Sequence, residues 1–242
     1  MNPETYGDRM AGVYDSWYDD SSDTEMAVNF LSSRAGQGRL LELGVGTGRL
    51  ALRLARLGYQ VTGVDISKAM LDQLRSKDPD GLVHIEQRDM TNLDDLGSFS
   101  LIFAAFNGIF GLQSAAEQAQ LFQSCATALD PRGLLVIEAH VPSAKGLATS
   151  GSLHLVSMNE SSVRLEVMQL RESEQFLEIQ LIDVREDGIK FYPSSLRYAY
   201  RSEMELMASA AGLTLVEALA SWSGGQVGPE DNPELMVYQR PA

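Results

Sequence analysis

Three glycines spaced two apart, Gly44, Gly46 and Gly48, follow the apolar run ending at Leu43 and precede an amphipathic stretch from Arg49 to Leu57. That order is how a strand, a tight turn and a helix are written in sequence. Without Cβ atoms, the turn lets a ligand rest against bare peptide N–H groups. A helix opening near Thr47 would aim the positive end of its dipole at the same spot. The spacing is G-x-G-x-G, whereas a dinucleotide pyrophosphate calls for G-x-G-x-x-G, and position 49 is Arg49. Glu42, just before the first glycine, repels a pyrophosphate and welcomes a cationic amine or a hydroxyl. The chemistry is that of holding a ligand with an amino acid part. Asp65 ends a second apolar run about 20 residues beyond the first glycine, where a carboxylate can hold both hydroxyls of a ribose. The plain alternative makes Asp65 the cap of a helix starting near Ser67, a role Ser67 can fill itself.

Glu42-Leu-Gly-Val-Gly-Thr-Gly48 resembles the first motif of the class I S-adenosylmethionine-dependent methyltransferases. The resemblance implies that Glu42, Gly44, Gly46 and Gly48 pack against the amino acid portion of the cofactor. It assigns the ribose to Asp65 with Ile66 beside it, and places Phe106, at the end of a fourth strand, among the cofactor contacts. A third strand from Val83 ends in Asp89 and Met90. In the family that pair brackets the adenine, the acid accepting from the exocyclic amine and the apolar neighbour covering the ring.

Met10, Val13, Tyr14 and Trp17 fall on one helical face, which by spacing alone reads as core. Tyr14-Asp-Ser-Trp-Tyr18 also resembles small-molecule methyltransferases, including sugar N-methyltransferases of antibiotic pathways, in which this helix closes over cofactor and acceptor. Tyr14 and Tyr18 therefore stand as candidates at the reacting centre. His140 directly follows the apolar strand 133–139, where an imidazole could take a proton from an acceptor near neutral pH; the alternative is a hydrogen-bonded structural histidine. Asn107 replaces the Asn/Asp-Pro-Pro-aromatic motif of members that methylate DNA bases, and alone it is too little for a metal, so no metal is expected. Tyr192, Arg197, Tyr198, Tyr200 and Trp222 could shape an acceptor pocket or simply pack.

These residues need a scaffold that gathers strand ends. Strands read near 39–43, 60–65, 82–86, 99–104 and 133–139 with helical stretches between most of them predict a doubly wound α/β core, Rossmann-like, with a seven-stranded methyltransferase sheet. In such a sheet ligands bind at the carboxyl ends of the strands, near which Glu42, Asp65 and Asp89 all lie. From Ser152 to Tyr200 short alternating segments and the turn Asp187-Gly188 predict an antiparallel β insertion between strands 5 and 6. Helical sequence resumes over 202–211, and strand-like 213–219 and 235–238 would form the terminal antiparallel pair. The expected division is a helical lid over 1–35, a cofactor core over 36–141 and 202–242, and an insertion over 142–201 that caps the acceptor or pairs subunits as a homodimer.

With 242 residues and 44% hydrophobic content the chain can bury a sizeable core. A net charge of −14 opposes binding to phosphate backbones, so no nucleic acid partner is expected. No apolar run spans a bilayer, and the first residues lack the features of a signal peptide, so no membrane partner and a cytoplasmic location are expected. Cys125, the single cysteine, falls in a helical pattern and reads as packing. The expected activity is methyl transfer from S-adenosyl-L-methionine to a nitrogen or oxygen of a small molecule such as a natural-product intermediate. A non-catalytic S-adenosylmethionine-binding regulatory or scaffold protein is one rival. An NAD(P)-dependent oxidoreductase is the other.

Overall fold

A computed structural model describes residues 3–18, 21–142, 151–228 and 231–242. Three helices, α1 (Pro3–Met10), α2 (Tyr14–Tyr18) and α3 (Ser21–Arg34), precede a parallel sheet. Its strands are β1 (Leu40–Leu43), β2 (Val61–Asp65), β3 (Val83–Gln87), β4 (Phe99–Ala104) and β5 (Leu129–Glu138). Between them run α4 (Ala51–Arg56), α5 (Lys68–Lys77) and α6 (Ala115–Ala128). A separate antiparallel sheet follows, built from β6 (Ser152–Met158), β7 (Ser162–Arg171), β8 (Phe176–Arg185) and β9 (Gly188–Arg197). Then α7 (Arg201–Ala210), β10 (Thr214–Ser221), β11 (Gly224–Gln226) and β12 (Leu235–Gln239) return to the first sheet.

The main sheet has the order β11-β10-β12-β5-β4-β1-β2-β3, with β12 antiparallel to both β5 and β10. This is the doubly wound α/β architecture with the expected insertion between its fifth and sixth strands. The sheet holds eight strands rather than seven, because the short β11 folds back through Trp222-Ser223 and pairs with β10 at the edge. Strand order reverses between β1 and β4, where Leu43 lies level with Ala104. Crossovers leave that point in opposite directions, so a crevice opens beyond the carboxyl ends of these two strands.

Every residue of β1 is buried, as are five of the six residues in β4. A strand covered by helices on both faces needs apolar side chains on both, which is why β1 and β4 read as continuous rather than alternating runs. Leu41, Leu43, Ile102 and Ala104 join the core on one face, and Leu40, Leu101 and Phe103 the core on the other.

Two helices differ from the sequence reading. The helix after the glycine loop begins at Ala51, not Thr47, because Gly48 takes φ +82°, outside the α region. The N-terminal stripe is broken into α1 and α2 by the turn through Ala11, Gly12 and Val13. Met10 is nonetheless fully buried, with Val13, Tyr14 and Trp17 packed beside it.

Candidate functional site

The glycine loop leaves β1 with Gly44, Gly46 and Gly48 all at positive φ. At Gly46, φ +54° turns the peptide so that its N–H donates to Asp65 Oδ2 at 2.8 Å. The other oxygen, Oδ1, accepts from the Ser67 N–H at 2.8 Å. Ser67 caps α5 through its own hydroxyl, which accepts from the Met70 N–H at 3.3 Å. Asp65 is thus a brace between the loop and the start of α5 rather than the helix cap. Burial pushes its carboxyl pKa up, against the opposing effect of these backbone donors.

A cavity of about 360 Å³ opens above this brace. Gly44, Gly46, Asp65 and Ile66 form one wall, and Arg88, Asp89 and Met90, after β3, form a second. The third, Ala105 to Gly108, follows β4. Tyr6, Tyr14 and Tyr18 close it from α1 and α2, and Glu166, Ile179, Leu181, Ser194 and Leu196 reach in from the antiparallel sheet. Of the expected residues, the cavity therefore gathers Gly44, Gly46, Asp65, Ile66, Asp89, Met90, Phe106, Tyr14 and Tyr18. Asp89 Oδ1 accepts from both the N–H and the hydroxyl of Thr91, each at 2.8 Å, which fixes the turn after β3.

Glu42 and Gly48 lie behind the loop and do not line this cavity. Gly48 instead borders a second cavity, of about 410 Å³, with Arg49, Arg53 and Lys77. Glu42 is buried, and its Oε2 has no hydrogen-bond partner. Burial pushes its pKa up to about 8, with Arg49 and the Ala51 amide opposing and Asp65 adding to the rise. A buried carboxylate oxygen without a donor is costly, which is why this group keeps its proton up to a higher pH than an exposed glutamate.

His140 is placed differently from the sequence expectation. It does not line the cavity; its ring is 45% exposed, and Nε2 lies 3.4 Å from Glu234 Oε2. Its backbone N–H donates to Asn107 Oδ1 at 2.6 Å. The strand that His140 follows ends beside the Phe106–Asn107 turn, so the main chain serves the site while the ring points to Glu234. Tyr192 packs edge-on to Trp17, Tyr198 is buried, and Arg197 pairs with Glu203 at 2.6 Å, so these three pack. Trp222, also considered for the acceptor pocket, packs against Phe30 instead.

Phe106 and Asn107 take φ +51° and +61°, a left-handed pair without glycine. Such strain persists only where neighbours hold it. The Phe106 N–H donates to Glu138 Oε2 at 2.5 Å, and the Trp222 indole N–H donates to Glu138 Oε1 at 2.6 Å. Burial raises the Glu138 pKa, and these two donors lower it. Glu138 escaped the sequence reading, although an acid inside an otherwise apolar strand is itself a signal. The turn presents the Phe106 ring to Tyr18, with ring centroids 5.0 Å apart, and Tyr18 lies 5.0 Å from Tyr14.

Two polar clasps hold the N-terminal helices on the core. Asp15 accepts from the Thr47 hydroxyl at 2.5 Å and pairs with Lys77 at 2.6 Å. The Ser67 hydroxyl donates to Asp8 at 2.7 Å. Burial pushes the phenol pKa values of Tyr6, Tyr14 and Tyr18 above their ordinary range, so these groups stay protonated near neutral pH.

A family model described as "Methyltransferase domain" matches residues 40–133, the segment from β1 into β5. The CcbJ methyltransferase of Streptomyces caelestis is 36% identical, with both chains covered completely and a TM-score of 0.92. The cypemycin N-terminal methyltransferase of a Streptomyces species is 28% identical over 99% of both chains. Relatives from Geobacillus sp. (strain WCH70), at 38% identity, and Bacillus subtilis (strain 168), at 28%, align over 44% and 54% of this chain. Those alignments span 44% and 53% of the relatives' own lengths, so the chain matches about half of each. The unpartnered Glu42 oxygen behind the loop, the Asp65 carboxylate on the cavity wall and the Asp89–Met90 wall suit a ligand with an amino acid end, a ribose and a base. Full-length likeness and donor set agree: the chain belongs to the class I S-adenosylmethionine-dependent methyltransferases of small-molecule type.

Proposed function

We propose that this chain methylates a nitrogen of a small natural-product amine, with S-adenosylmethionine as donor. One observation carries the reading: the wall built by the glycine loop and Asp65 faces Tyr14, Tyr18 and Phe106 across a cavity whose far side is supplied by the insertion. The cofactor, when bound, supplies a methyl group on a positively charged sulfur. Gly44 and Gly46 would pack against its amino acid portion with Glu42 behind them, Asp65 would hold its ribose, and Asp89 with Met90 its base.

The remaining groups act on the acceptor. An amine attacks only as its neutral form, and the aromatic and aliphatic part of the wall, Tyr14, Tyr18, Phe106, Ile179 and Leu181, disfavours the ammonium. Protonated phenols at Tyr14 and Tyr18 can accept an N–H or donate to a neighbouring oxygen, which aligns the nitrogen without removing a proton. Alignment in a dry pocket supplies much of the rate for an in-line displacement. Phe106, the half-buried Ile179 and the buried Leu181 would exclude water from the same space. Residues 1–35 act in this reading as a lid, and the described part of 142–201 as the acceptor cap. Likeness over nearly the whole length to the cypemycin N-terminal methyltransferase supports nitrogen chemistry.

The test is incubation of the purified chain and S-adenosylmethionine with parallel sets of amino sugars, aliphatic amines, peptide N-termini and phenols, read by mass spectrometry. Methyl gain on amines alone is expected. Gain on phenols alone would contradict the nitrogen assignment, and binding with no transfer to either set would favour a non-catalytic role.

A further inference from the structure

Four charged side chains line the cavity, and three of them are engaged by neighbouring groups. Asp65 accepts from the Gly46 and Ser67 amides, Asp89 accepts from Thr91, and Arg88 donates to the Asn92 and Asp94 carbonyls at 3.3 and 2.7 Å. The fourth, Glu166, stands apart. It reaches the cavity from β7, on the wall supplied by the inserted sheet, and among the described residues it accepts no hydrogen bond and makes no ion pair. Its neighbours explain why. Side chains two residues apart on a strand share a face, and Arg164, the cation next to Glu166 on that face, is turned onto the Trp17 ring with Cζ 3.8 Å from the centroid. Across the sheet Glu166 lies level with Leu181 on β8 and with the exposed His154 on β6, to which it is not bonded. Its charge nonetheless reaches the site: burial first and then Glu166 raise the Tyr18 phenol pKa, with Arg164 opposing. Tyr18 in turn stands 5.0 Å from both the Tyr14 and the Phe106 ring. A bare carboxylate thus shares the cavity with a row of three aromatic rings.

We infer that Glu166 is the counter-ion of the acceptor: it binds a protonated amine beside Tyr18 and makes the site select cationic molecules over neutral ones of the same shape. The inference rests on the nitrogen chemistry proposed above. Alkyl amines are ammonium ions in neutral water, since their pKa lies near that of lysine, about 10.4. An ammonium entering a partly apolar cavity loses hydration, and a carboxylate with no competing donor replaces it with charge-assisted hydrogen bonds. The face of an aromatic ring such as Tyr18 adds a cation–π attraction. Asp65 and Asp89 lie on the walls proposed for the cofactor, so Glu166 is the carboxylate left for the acceptor. Docking and reaction are then separate events. The ion is caught at the carboxylate on the sheet side, and its neutral form is the one favoured among the rings of Tyr14 and Phe106.

Titration of the full chain with benzylamine and with benzyl alcohol, its uncharged twin, tests the inference. Binding is followed by saturation-transfer NMR near neutral pH in saturating S-adenosylhomocysteine. Wild type should bind the amine at least about tenfold more tightly than the alcohol. Glu166→Gln keeps the shape and removes the charge, so it should bring the two ligands within about twofold of each other while S-adenosylhomocysteine affinity stays as in wild type. Glu166→Asp keeps the charge and should keep the preference. A merely structural role would not separate a charged ligand from its neutral twin. A wild type without the preference, a preference that survives in Glu166→Gln, or loss of S-adenosylhomocysteine binding in that variant would overturn the proposal. Its failure is distinct from that of the nitrogen assignment. If phenols alone gain methyl groups while the amine preference follows Glu166, the cation site stands and the nitrogen assignment falls; methyl gain on amines without that preference does the reverse.

Discussion

At the scale of single residues, the site rests on carboxylates that do unlike work. Asp65 ties the Gly46 and Ser67 amides together, so Asp65→Ala removes two acceptors as well as the proposed ribose contact. Its affinity for S-adenosylhomocysteine should fall by about tenfold or more, a loss of at least ~1.4 kcal/mol, read by calorimetry. Unchanged affinity would contradict the assignment. Glu42 is buried with one oxygen unpartnered, and its pKa of about 8 lies above the ordinary 4.5. Between those values the folded chain keeps a proton that the unfolded chain has released, so this group lowers stability as pH rises from about 4.5 to about 8. Glu42→Gln carries no such dependence. The melting-temperature advantage of the cofactor-free variant should therefore be small near pH 4 and grow up to about pH 8, while its cofactor affinity drops. An advantage that does not change with pH would contradict the raised pKa.

At the scale of elements, docking of the N-terminal helices depends on close approach. A Cβ at Gly7 would meet the Ser67 Cβ at 2.5 Å, too near for α1 to stay where it is against the start of α5. Gly12 has nothing within 4 Å of its would-be Cβ. Gly7→Ala should loosen the N-terminal segment, seen as faster proteolysis before α3 and several-fold weaker cofactor binding, whereas Gly12→Ala should match wild type. Equal behaviour of the two variants would contradict docking through α1. Much at this scale was legible in the sequence. Buried parallel strands such as β1 and β4 must be apolar on both faces, and the alternation of Val163-Arg-Leu-Glu-Val-Met marks an antiparallel strand with two unlike faces. The start of α4 was not legible, because the third glycine of the loop still lies outside the helix. Nor was the role of Glu138, which depends on β5 lying beside β4 and on Trp222 arriving from a hairpin more than eighty residues away. The place of the His140 ring escaped for a related reason: a strand end fixes where a residue sits, while Glu234 fixes where its ring lies.

At the scale of the whole molecule, the parallel strands of one mixed sheet supply the glycine-loop and Asp65 wall, and the N-terminal helices and the inserted sheet crowd around the cavity. The N-terminal helices close one side, the inserted sheet another, and the three return strands β10, β11 and β12 complete the main sheet without lining the cavity. Among the described residues no helix is long and apolar enough to cross a membrane. The departure from a dinucleotide loop at Arg49 and the unpartnered Glu42 carboxylate both bear on which cofactor that wall accepts. Calorimetric titration of the purified chain with S-adenosylmethionine, and separately with NADH, tests this most directly. Saturable binding of S-adenosylmethionine at micromolar concentration, with none of NADH, is the predicted result; binding of NADH without S-adenosylmethionine would contradict it.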